Sequence, residues 1–534
     1  MLPTPTTQHL DAAEARQSRT RPSNVREFFE RAVDDVPDAS FMICGDQTWS
    51  YAEFDASCNR VSHGLLAAGV APTARLAYQL PNGLALLRLE LAAQKIGAVT
   101  VPLIPGSTAS ETEYVLTHSG PTHIVTDATN EAAVRKAVKS AATQGVHVEI
   151  LVVPERRGSL GALESDVEIR PPEPPHREPC MSIRYTSGST GRPKGVVQPA
   201  AGFATAGHAI ADRLGLSSDD AVFCAMPLFH TAATHMMFAP AVAARCRFVL
   251  VPRFSRATFW DEVRGTGGTV ALLMPTQLSI LMTAPPADDD ADNPMRIMFS
   301  HVRSEDFCRR FGVDVCTTWA MTETSGMGTL QAPESGDHRP KVIGKPMPDD
   351  AEIRIVGPDG NPVGVGELGE LCFRHPDVML EYHRDPANTG STLRDGWVHS
   401  GDLCSMDADG NAFFHGRLKN VIKRGGENVA GEEVEFTIMA HPAVEECLVT
   451  GVEDEIYTEE VCAVVVTRDA QRLTEAEIVD WCAQRLSSWK VPRYVHLRGE
   501  ALPKLANGKT NRGAVTGDVA AFCGGRLWDR QGGA

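Results

Sequence analysis

Long apolar runs are missing from this 534-residue sequence. The first twenty residues contain no apolar stretch of the kind that a secretory signal requires, so we expect no such signal. The most apolar segment, His235–Ala244, is interrupted by Pro240 and is far shorter than the roughly 20 residues that cross a bilayer. We therefore expect a cytoplasmic protein without membrane insertion.

The sequence also has fewer basic than acidic residues and lacks closely spaced pairs of cysteines. The sequence has 68 acidic residues against 51 Lys and Arg, a formal net charge of −17. This balance argues against a nucleic-acid partner, although a local basic pocket for nucleotide phosphates stays compatible with it. The 13 cysteines contain no CxxC pair, so we expect reduced thiols that serve mostly as small core residues.

The chain is too long for one hydrophobic core, and two or more domains are expected. Residues 24–39 read as an amphipathic helix. Residues 74–104 read as strand, helix and strand, which indicates a βαβ unit and a parallel sheet. From about Ile353 the pattern becomes β-rich. Residues 473–486 form a helical pattern with a capping box, Thr474 with Glu477. We place a domain boundary near Arg417, which gives domains 1–416 and 417–534.

One stretch, YTSGSTGRPKG at Tyr185–Gly195, has the composition of a phosphate-binding loop. It does not fit the P-loop, because Pro193 and Gly195 stand where that pattern needs Gly and Ser or Thr. Pro193 and the apolar run after it predict a strand, not a helix, beyond the loop. Backbone N–H groups, hydroxyls and Lys194 could together hold an anion. The alternative is a flexible Gly/Ser surface loop.

This stretch resembles the phosphate-loop signature of the adenylate-forming (ANL) superfamily, and five further motifs follow in the family's order. They are PLFHTAATH at 227–235, TTWAMTETSG at 317–326, DGWVHSGDL at 395–403, GRLKNVIKRGGENVAGEEVE at 416–435 and LPKLANGKTNR at 502–512. The resemblance covers residues 24–530 and is nearest to CoA ligases of the crotonobetaine/carnitine type. It implies an α/β fold: a large N-terminal domain with two αβα-type sheets and a distorted β-barrel, and a small mobile α+β C-terminal domain.

The resemblance assigns the phosphate and metal residues to the N-terminal domain. The loop would bind the β and γ phosphates of ATP through Thr186, Ser187, Gly188, Ser189, Thr190, Gly191 and Lys194. Mg²⁺ prefers oxygen ligands, and Glu323 is its implied ligand, with Thr186 as a second. Thr322 would donate to the α-phosphate. Trp319 replaces the family's usual Tyr and would stack on adenine. His230 occupies the gating position of the acyl pocket.

Six further assignments come from the last three motifs. Asp402 would accept hydrogen bonds from both ribose hydroxyls, which suits a carboxylate facing a vicinal diol. Arg417 would make a second ribose contact, and Lys419 would be the interdomain hinge. Gly425 and Gly426 would line a pantetheine tunnel. Lys509 would be the adenylation lysine, since a cation placed between carboxylate and α-phosphate lowers the barrier to their approach.

The implied reaction uses ATP, Mg²⁺ and CoA. A carboxylic acid attacks ATP to give an acyl-adenylate and pyrophosphate, and CoA then takes the acyl group and releases AMP. The alternative is an amide ligase that transfers the acyl group to an amine. An α-amino acid substrate is disfavoured, because Thr231 and Ala232 follow His230 where such sites place an Asp. Homodimers are common among relatives, so a homodimer is one expected state.

One departure from the family pattern concerns the acyl pocket. The span Ser300–Arg310 is too short to hold the usual Gly-Ala-x-Pro loop, so we expect this loop to be missing. Its loss puts the adenine contact in doubt and opens one wall of the pocket, which favours bulky acids. Aliphatic, alicyclic and aromatic acids all stay open.

Overall fold

The computed structural model describes residues 24–154, 158–177, 179–186, 193–424, 427–454, 457–468, 473–505, 509–525 and 527–530. Contacts divide the chain into two compact units. The first runs to His338 and also contains Gly344–Glu352 and Arg374–Val398; the second contains Arg339–Ile343, Ile353–Phe373 and the chain from His399 onward. The protein is mixed α/β, with a large N-terminal and a smaller C-terminal domain, as predicted.

The first unit contains a seven-stranded sheet that carries the phosphate-loop motif. Its strands, in spatial order, are Glu381–Tyr382, Lys194–Pro199, Cys180–Thr186, Val99–Pro102, Arg75–Gln79, His123–Asp127 and Glu149–Val153. The last five pair in parallel, and the first three are antiparallel. The predicted strands and helix of residues 74–104 are all confirmed, and the sheet is parallel there because helices cross between its strands.

A second run of strands in the first unit carries the Trp319 and Glu323 motif at one end. In spatial order these strands are Gly328–Leu330, Asp314–Ala320, Ile297–Ser300, Val270–Leu272, Ala221–Cys224, Arg247–Leu250, Ser40–Cys44 and Gln47–Ser50. The strand Val342–Met347 pairs antiparallel with the first of them. Most of these strands are buried along their length, as expected for parallel strands covered on both faces.

Helices cover both sheets of the first unit. They are Val25–Asp35, Tyr51–Ala67, Leu84–Lys95, Ala109–Ser119, Ala128–Thr143, Ala200–Arg213, Thr231–Ala233, Ala239–Ala244, Phe259–Thr266, Pro275–Met282, Glu305–Phe311 and Pro386–Thr392, with a π-helical turn at Thr234–Phe238. The first of these is the predicted amphipathic helix. It begins at Asn24, whose side chain accepts from the Glu27 N–H, and it buries Phe28 and Phe29. Burying each aromatic side chain contributes about 1.5–3 kcal/mol.

The second unit contains a group of four neighbouring strands and a small α+β region. Glu352–Val356, Gly369–Arg374, Trp397–Met406 and Ala412–Arg417 are neighbours in that order. A six-stranded sheet follows, with order Glu427–Ala430, Val421–Arg424, Thr458–Thr467, Tyr494–Arg498 and Trp528–Asp529, and with Val444–Asp454 beside Thr458–Thr467. Its helices are Gly431–Met439, Glu475–Ala483, Arg512–Thr516 and Val519–Phe522. The predicted capping box of Thr474 and Glu477 is confirmed.

The predicted boundary near Arg417 falls inside the second unit. Arg417 ends a strand whose partner is Trp397–Met406, so the residues on either side of the predicted boundary share one compact unit. The division at Arg417, and the distorted barrel, stay predictions. No helix of the described residues is long and apolar enough to cross a membrane. Nine of the 13 cysteines are buried, which suits the expected core role.

Candidate functional site

The phosphate-loop motif connects two antiparallel strands, Cys180–Thr186 and Lys194–Pro199. Thr186 lies opposite Lys194 in their register, so the two ends of the loop are neighbours. A strand follows the loop, as the sequence predicted. The predicted phosphate ligands between these ends lie outside the described residues; they are Ser187, Gly188, Ser189, Thr190 and Gly191.

Two contacts anchor the chain where it leaves the loop. The Tyr114 hydroxyl donates to the Pro193 carbonyl oxygen at 2.8 Å, and the His383 N–H donates to the Gly195 carbonyl oxygen at 2.7 Å. His383 also places its Nε2 3.1 Å from the His118 carbonyl oxygen. Burial, with a smaller contribution from nearby Arg75, lowers the pKa of His383 to about 4. The imidazole is therefore neutral at neutral pH.

Lys194 is held on two sides. Its Nζ donates to Asn388 Oδ1 at 2.7 Å and lies 4.9 Å from the centroid of the Tyr382 ring. The second distance is within the range of a cation–π contact. The ammonium therefore has a fixed position at the loop's end.

Glu323, the predicted magnesium ligand, lies in the turn after the strand Asp314–Ala320 and is 8% exposed. Its Oε1 accepts a 2.7 Å hydrogen bond from the Tyr382 hydroxyl. In the part of the chain that the structure describes, no cationic side chain lies within ion-pair distance of this carboxylate. A buried carboxylate without a cation is costly, so Glu323 suits a hard divalent cation such as Mg²⁺. The role of Thr186 as a second ligand stays a prediction.

A buried glutamine links the gating and magnesium motifs. Gln198 Nε2 donates to Thr231 Oγ1 at 3.1 Å and to the Thr322 carbonyl oxygen at 3.0 Å, while Ser182 donates to its Oε1 at 3.0 Å. His230 is half-buried and precedes the short helix Thr231–Ala233. The strand that leaves the phosphate loop thus contacts two other motifs directly.

Trp319 lies in the strand Asp314–Ala320, where it faces Thr329 of the neighbouring strand and is 5% exposed. Gly328 packs against it so closely that a Cβ there would lie 2.0 Å from the Trp319 carbonyl oxygen. The position therefore requires glycine. Stacking of the indole on adenine stays a prediction.

The span after Ser300 is short in the structure. Only residues 301–304 connect the strand Ile297–Ser300 to the helix Glu305–Phe311. Arg303 holds this connection by donating from Nη1 to Asp314 at 2.5 Å and to the Val315 carbonyl oxygen at 2.9 Å. The connection is therefore short and held in place, and the absence of the family's Gly-Ala-x-Pro loop stays a prediction.

In the second unit, the two predicted ribose residues form an ion pair. Asp402 is 1% exposed and lies opposite Arg417 in the register of their strands, with Arg417 Nε 2.7 Å from Asp402 Oδ1. The turn before Asp402 is held by Glu370, which accepts from the Gly401 N–H at 2.9 Å and lies 2.7 Å from His399 Nδ1. Gly401 has φ +70°, a left-handed conformation that glycine adopts easily.

The predicted hinge, Lys419, lies in a short 3₁₀ helix, Leu418–Asn420. Burial and then the nearby Arg417 charge lower the pKa of Lys419. Glu432 accepts hydrogen bonds from the Arg417 N–H at 3.3 Å and from the Asn420 side chain. This segment is therefore held by one carboxylate. Gly425 and Gly426 lie outside the described residues.

Lys509 lies on an exposed turn of the second unit. Its carbonyl oxygen accepts from the Leu505 N–H at 2.8 Å, and Lys504 forms an isolated bridge with Thr510 beside it. Its side chain is exposed to solvent, and its role in adenylation stays a prediction.

Five residues of these sites were missed by the sequence analysis: Tyr382, Asn388, Gln198, Glu370 and His399. Each acts through a contact with a residue far away in the sequence. Tyr382, for example, contacts Glu323 across 59 positions, and Gln198 contacts Thr322 across 124. No local pattern signals such a pair.

Known proteins resemble this chain over nearly its full length. The profile of the AMP-binding enzyme family matches residues 29–383, and that of the AMP-binding enzyme C-terminal domain matches residues 433–509. Crotonobetaine/carnitine–CoA ligase from Salmonella typhimurium is 32% identical over 479 residues, 86% of this chain and 92% of that protein. The protein of the same name from Escherichia coli O157:H7 is 30% identical over 515 residues, 92% and 98% of the two chains.

Two solved structures have the same fold. ATP-bound MatB from Rhodopseudomonas palustris superposes with a TM-score of 0.82 at 28% identity, covering 92% of this chain and 98% of its own. The o-succinylbenzoate CoA synthetase from Bacillus subtilis, in complex with ATP and magnesium, gives a TM-score of 0.79 at 26% identity, covering 91% and 98%.

Together, the fold and the site define an AMP-forming ligase of carboxylic acids. The chain belongs to the AMP-binding enzyme family.

Proposed function

We propose that the protein is an ATP-dependent, AMP-forming acyl-CoA ligase. A carboxylate oxygen attacks the α-phosphorus of ATP, the bond to the pyrophosphate breaks, and an acyl-adenylate forms. The CoA thiol then attacks the acyl carbon, AMP leaves, and a thioester results. The observation that carries the proposal is the buried Glu323 carboxylate, which has a hydroxyl partner but no cation among the described residues.

Glu323 would hold Mg²⁺, which supplies positive charge to the triphosphate and the departing pyrophosphate. Lys194 adds a point charge at the end of the phosphate loop, where Asn388 keeps its ammonium in place. With Thr186 and the rest of the loop it would bind the β and γ phosphates. Thr322 would donate to the α-phosphate, and Trp319 would stack on adenine.

The second unit supplies the remaining groups. Asp402, oriented by the Glu370-held turn, would accept from the ribose hydroxyls, and Arg417 would contact the same sugar. Lys509 would stabilise the charge that develops as carboxylate meets phosphate. For the thioester step the C-terminal domain would turn at Lys419, withdraw Lys509 and present Gly425 and Gly426 to pantetheine.

CoA is the proposed acceptor because the relatives are named as CoA ligases. The acid is proposed only as a class. Thr231 and Ala232 after His230 argue against an α-amino acid, since neither can pair an ammonium. A short connection after Ser300 would be compatible with a bulky aliphatic, alicyclic or aromatic acid. A cytoplasmic location and a homodimer stay predictions.

A pyrophosphate-exchange screen over a panel of carboxylic acids tests the adenylation half. We expect exchange with at least one acid, dependent on Mg²⁺. The active acid is then offered CoA or simple amines, and we expect thioester and AMP with CoA alone. Exchange with none of the acids would refute the adenylation, and amide without thioester would identify an amide ligase instead.

A further inference from the structure

Tyr382 stands between the two charged residues that the proposed function assigns to ATP and magnesium. Its hydroxyl donates to Glu323 Oε1 at 2.7 Å, and the face of its ring receives Lys194, with Nζ 4.9 Å from the centroid. Tyr382 and Glu323 are both buried, so the hydrogen bond between them is made in a setting with little water. In such a setting electrostatic contacts are stronger than at the surface.

The backbone fixes this tyrosine firmly. Tyr382 pairs with Val196, two residues after Lys194, in an antiparallel bridge of the seven-stranded sheet. Its N–H donates to Thr389 Oγ1 at 2.9 Å. Three residues earlier, the Met379 N–H donates to the Glu323 carbonyl oxygen at 2.8 Å. The segment that carries Tyr382 is thus attached both to the strand after the phosphate loop and to the magnesium turn.

The charges explain what the tyrosine does. The Tyr382 hydroxyl lies 2.7 Å from Glu323 Oε1, and a phenol O–H donates to a carboxylate oxygen, which accepts. The donated hydrogen bond satisfies one oxygen of a carboxylate that no cation within the described residues neutralises. A hydrogen bond from a neutral hydroxyl stabilises this carboxylate and leaves its negative charge in place.

The ring has a second effect, on Lys194. Lys194 and Glu323 both contact Tyr382, and if they formed an ion pair each charge would be neutralised by the other. Here Lys194 contacts the face of the Tyr382 ring while Glu323 contacts its hydroxyl, and Lys194 donates to the neutral Asn388 amide oxygen instead. Both charges therefore remain available to a triphosphate and its metal.

We propose that Tyr382 is a positioning residue for Mg²⁺–ATP: its hydroxyl orients Glu323, and its ring keeps Lys194 and Glu323 from pairing. The proposal rests on the proposed function only for the identity of the ligand. The proposal goes beyond that function because it assigns an effect on magnesium dependence to Tyr382, which has no assigned contact with ATP or with the acid.

The test is Tyr382→Phe, which keeps the ring and removes the hydroxyl. ATP binding is measured by calorimetry at a series of Mg²⁺ concentrations, and pyrophosphate exchange is measured over the same series. Residues that orient metal ligands typically change metal affinity about 10- to 100-fold, so the Mg²⁺ midpoint should rise by about 10-fold in both assays. The KM for the acid should not change.

Tyr51→Phe is the matched control, since it also removes a buried hydroxyl, one that donates to the Cys246 carbonyl oxygen at 2.9 Å. It should leave the Mg²⁺ midpoint unchanged. A second variant, Tyr382→Leu, removes the ring as well. Because Lys194 can then pair with Glu323, it should weaken ATP binding further, even at saturating Mg²⁺.

An unchanged Mg²⁺ midpoint in folded Tyr382→Phe, or equal shifts in Tyr382→Phe and Tyr51→Phe, would overturn the proposal. Failure of the proposed function is seen separately. If the unmodified protein binds Mg²⁺–ATP but exchanges pyrophosphate with no acid, the function is wrong while the calorimetric test of Tyr382 still stands.

Discussion

Some charged residues of the two units differ in exposure. In the first unit Arg184 is 2% exposed and pairs with Glu90, and Glu323 is 8% exposed and bonded to Tyr382. In the second unit the Arg417 side chain is 44% exposed and Lys509 lies on an exposed turn. This contrast indicates preorganised binding groups in one unit and groups available for recruitment during the reaction in the other.

The largest effect on stability is expected from a substitution of Arg184 in the first unit. Its Nη1 donates to the Phe229 carbonyl oxygen at 2.9 Å, next to His230, while Nη2 pairs with Glu90. Arg184→Met leaves the Glu90 carboxylate buried without its cationic partner, so the free energy of unfolding should fall by about 3–5 kcal/mol. Denaturant unfolding of the purified variant measures this.

The control for that substitution is the double variant Arg184→Met, Glu90→Leu. Replacing both members of a buried ion pair by apolar residues is often nearly neutral, so this variant should recover most of the lost stability. A loss below about 1 kcal/mol in Arg184→Met alone would contradict the view that this pair is an energetically coupled part of the first unit.

At Lys509 we expect a substitution to reduce activity without reducing stability. Lys509→Ala should leave thermal unfolding unchanged, because the side chain is exposed, yet slow adenylation by about 100- to 1,000-fold. Thioester formation from a supplied acyl-adenylate should be spared. Stopped-flow or quenched measurement of each half-reaction separates the two.

Lys504→Ala is the matched control on the same turn, since the Lys504 side chain is 39% exposed and pairs with Glu446 at 2.7 Å. It should change neither half-reaction by more than a few-fold. If Lys509→Ala slows both halves equally, the account of Lys509 as a group recruited for one step is wrong.

The smallest effect is expected from pH at the base of the phosphate loop. The folded pKa of His383 is lowered to about 4, below its unfolded value, so between these values the unfolded chain binds a proton that the folded chain does not. Stability from this residue is present above pH 6.5, the unfolded value, and is lost as pH falls toward 4. His383→Gln should therefore reduce the drop in unfolding temperature between about pH 7 and about pH 5.

His147→Gln, at an exposed position, is the control for this measurement. An undiminished drop in unfolding temperature in His383→Gln would show that the neutral imidazole beside Gly195 does not contribute to the pH dependence. That result would weaken the description of the loop base as rigid and preorganised.

Local signals predicted much of this fold. The helix after Asn24, the capping box at Thr474 and the strand after Pro193 each depend on residues within a few positions, and all three are present. The short connection after Ser300 could also be predicted, because it depends only on chain length. The family could be identified from the sequence alone, because the order of its motifs is visible there.

Contacts between distant segments could not be predicted. Arg184 and Glu90 are 94 positions apart, and Tyr382 reaches Lys194 only because two strands pair in one register. Such pairs depend on sheet order, which the hydrophobic pattern does not specify. The placement of residues 399–416 with the C-terminal region is of this kind too, since a change of composition near Arg417 does not reveal strand pairing.

The central claim is that a carboxylate oxygen becomes bonded to the α-phosphorus of ATP before CoA takes the acyl group. An acid labelled with oxygen-18 in its carboxylate, incubated with ATP, Mg²⁺ and CoA, tests it directly. The account predicts that mass spectrometry finds one labelled oxygen in AMP and one in the thioester carbonyl. Label in inorganic phosphate with ADP as product, or unlabelled AMP beside labelled thioester, would contradict it.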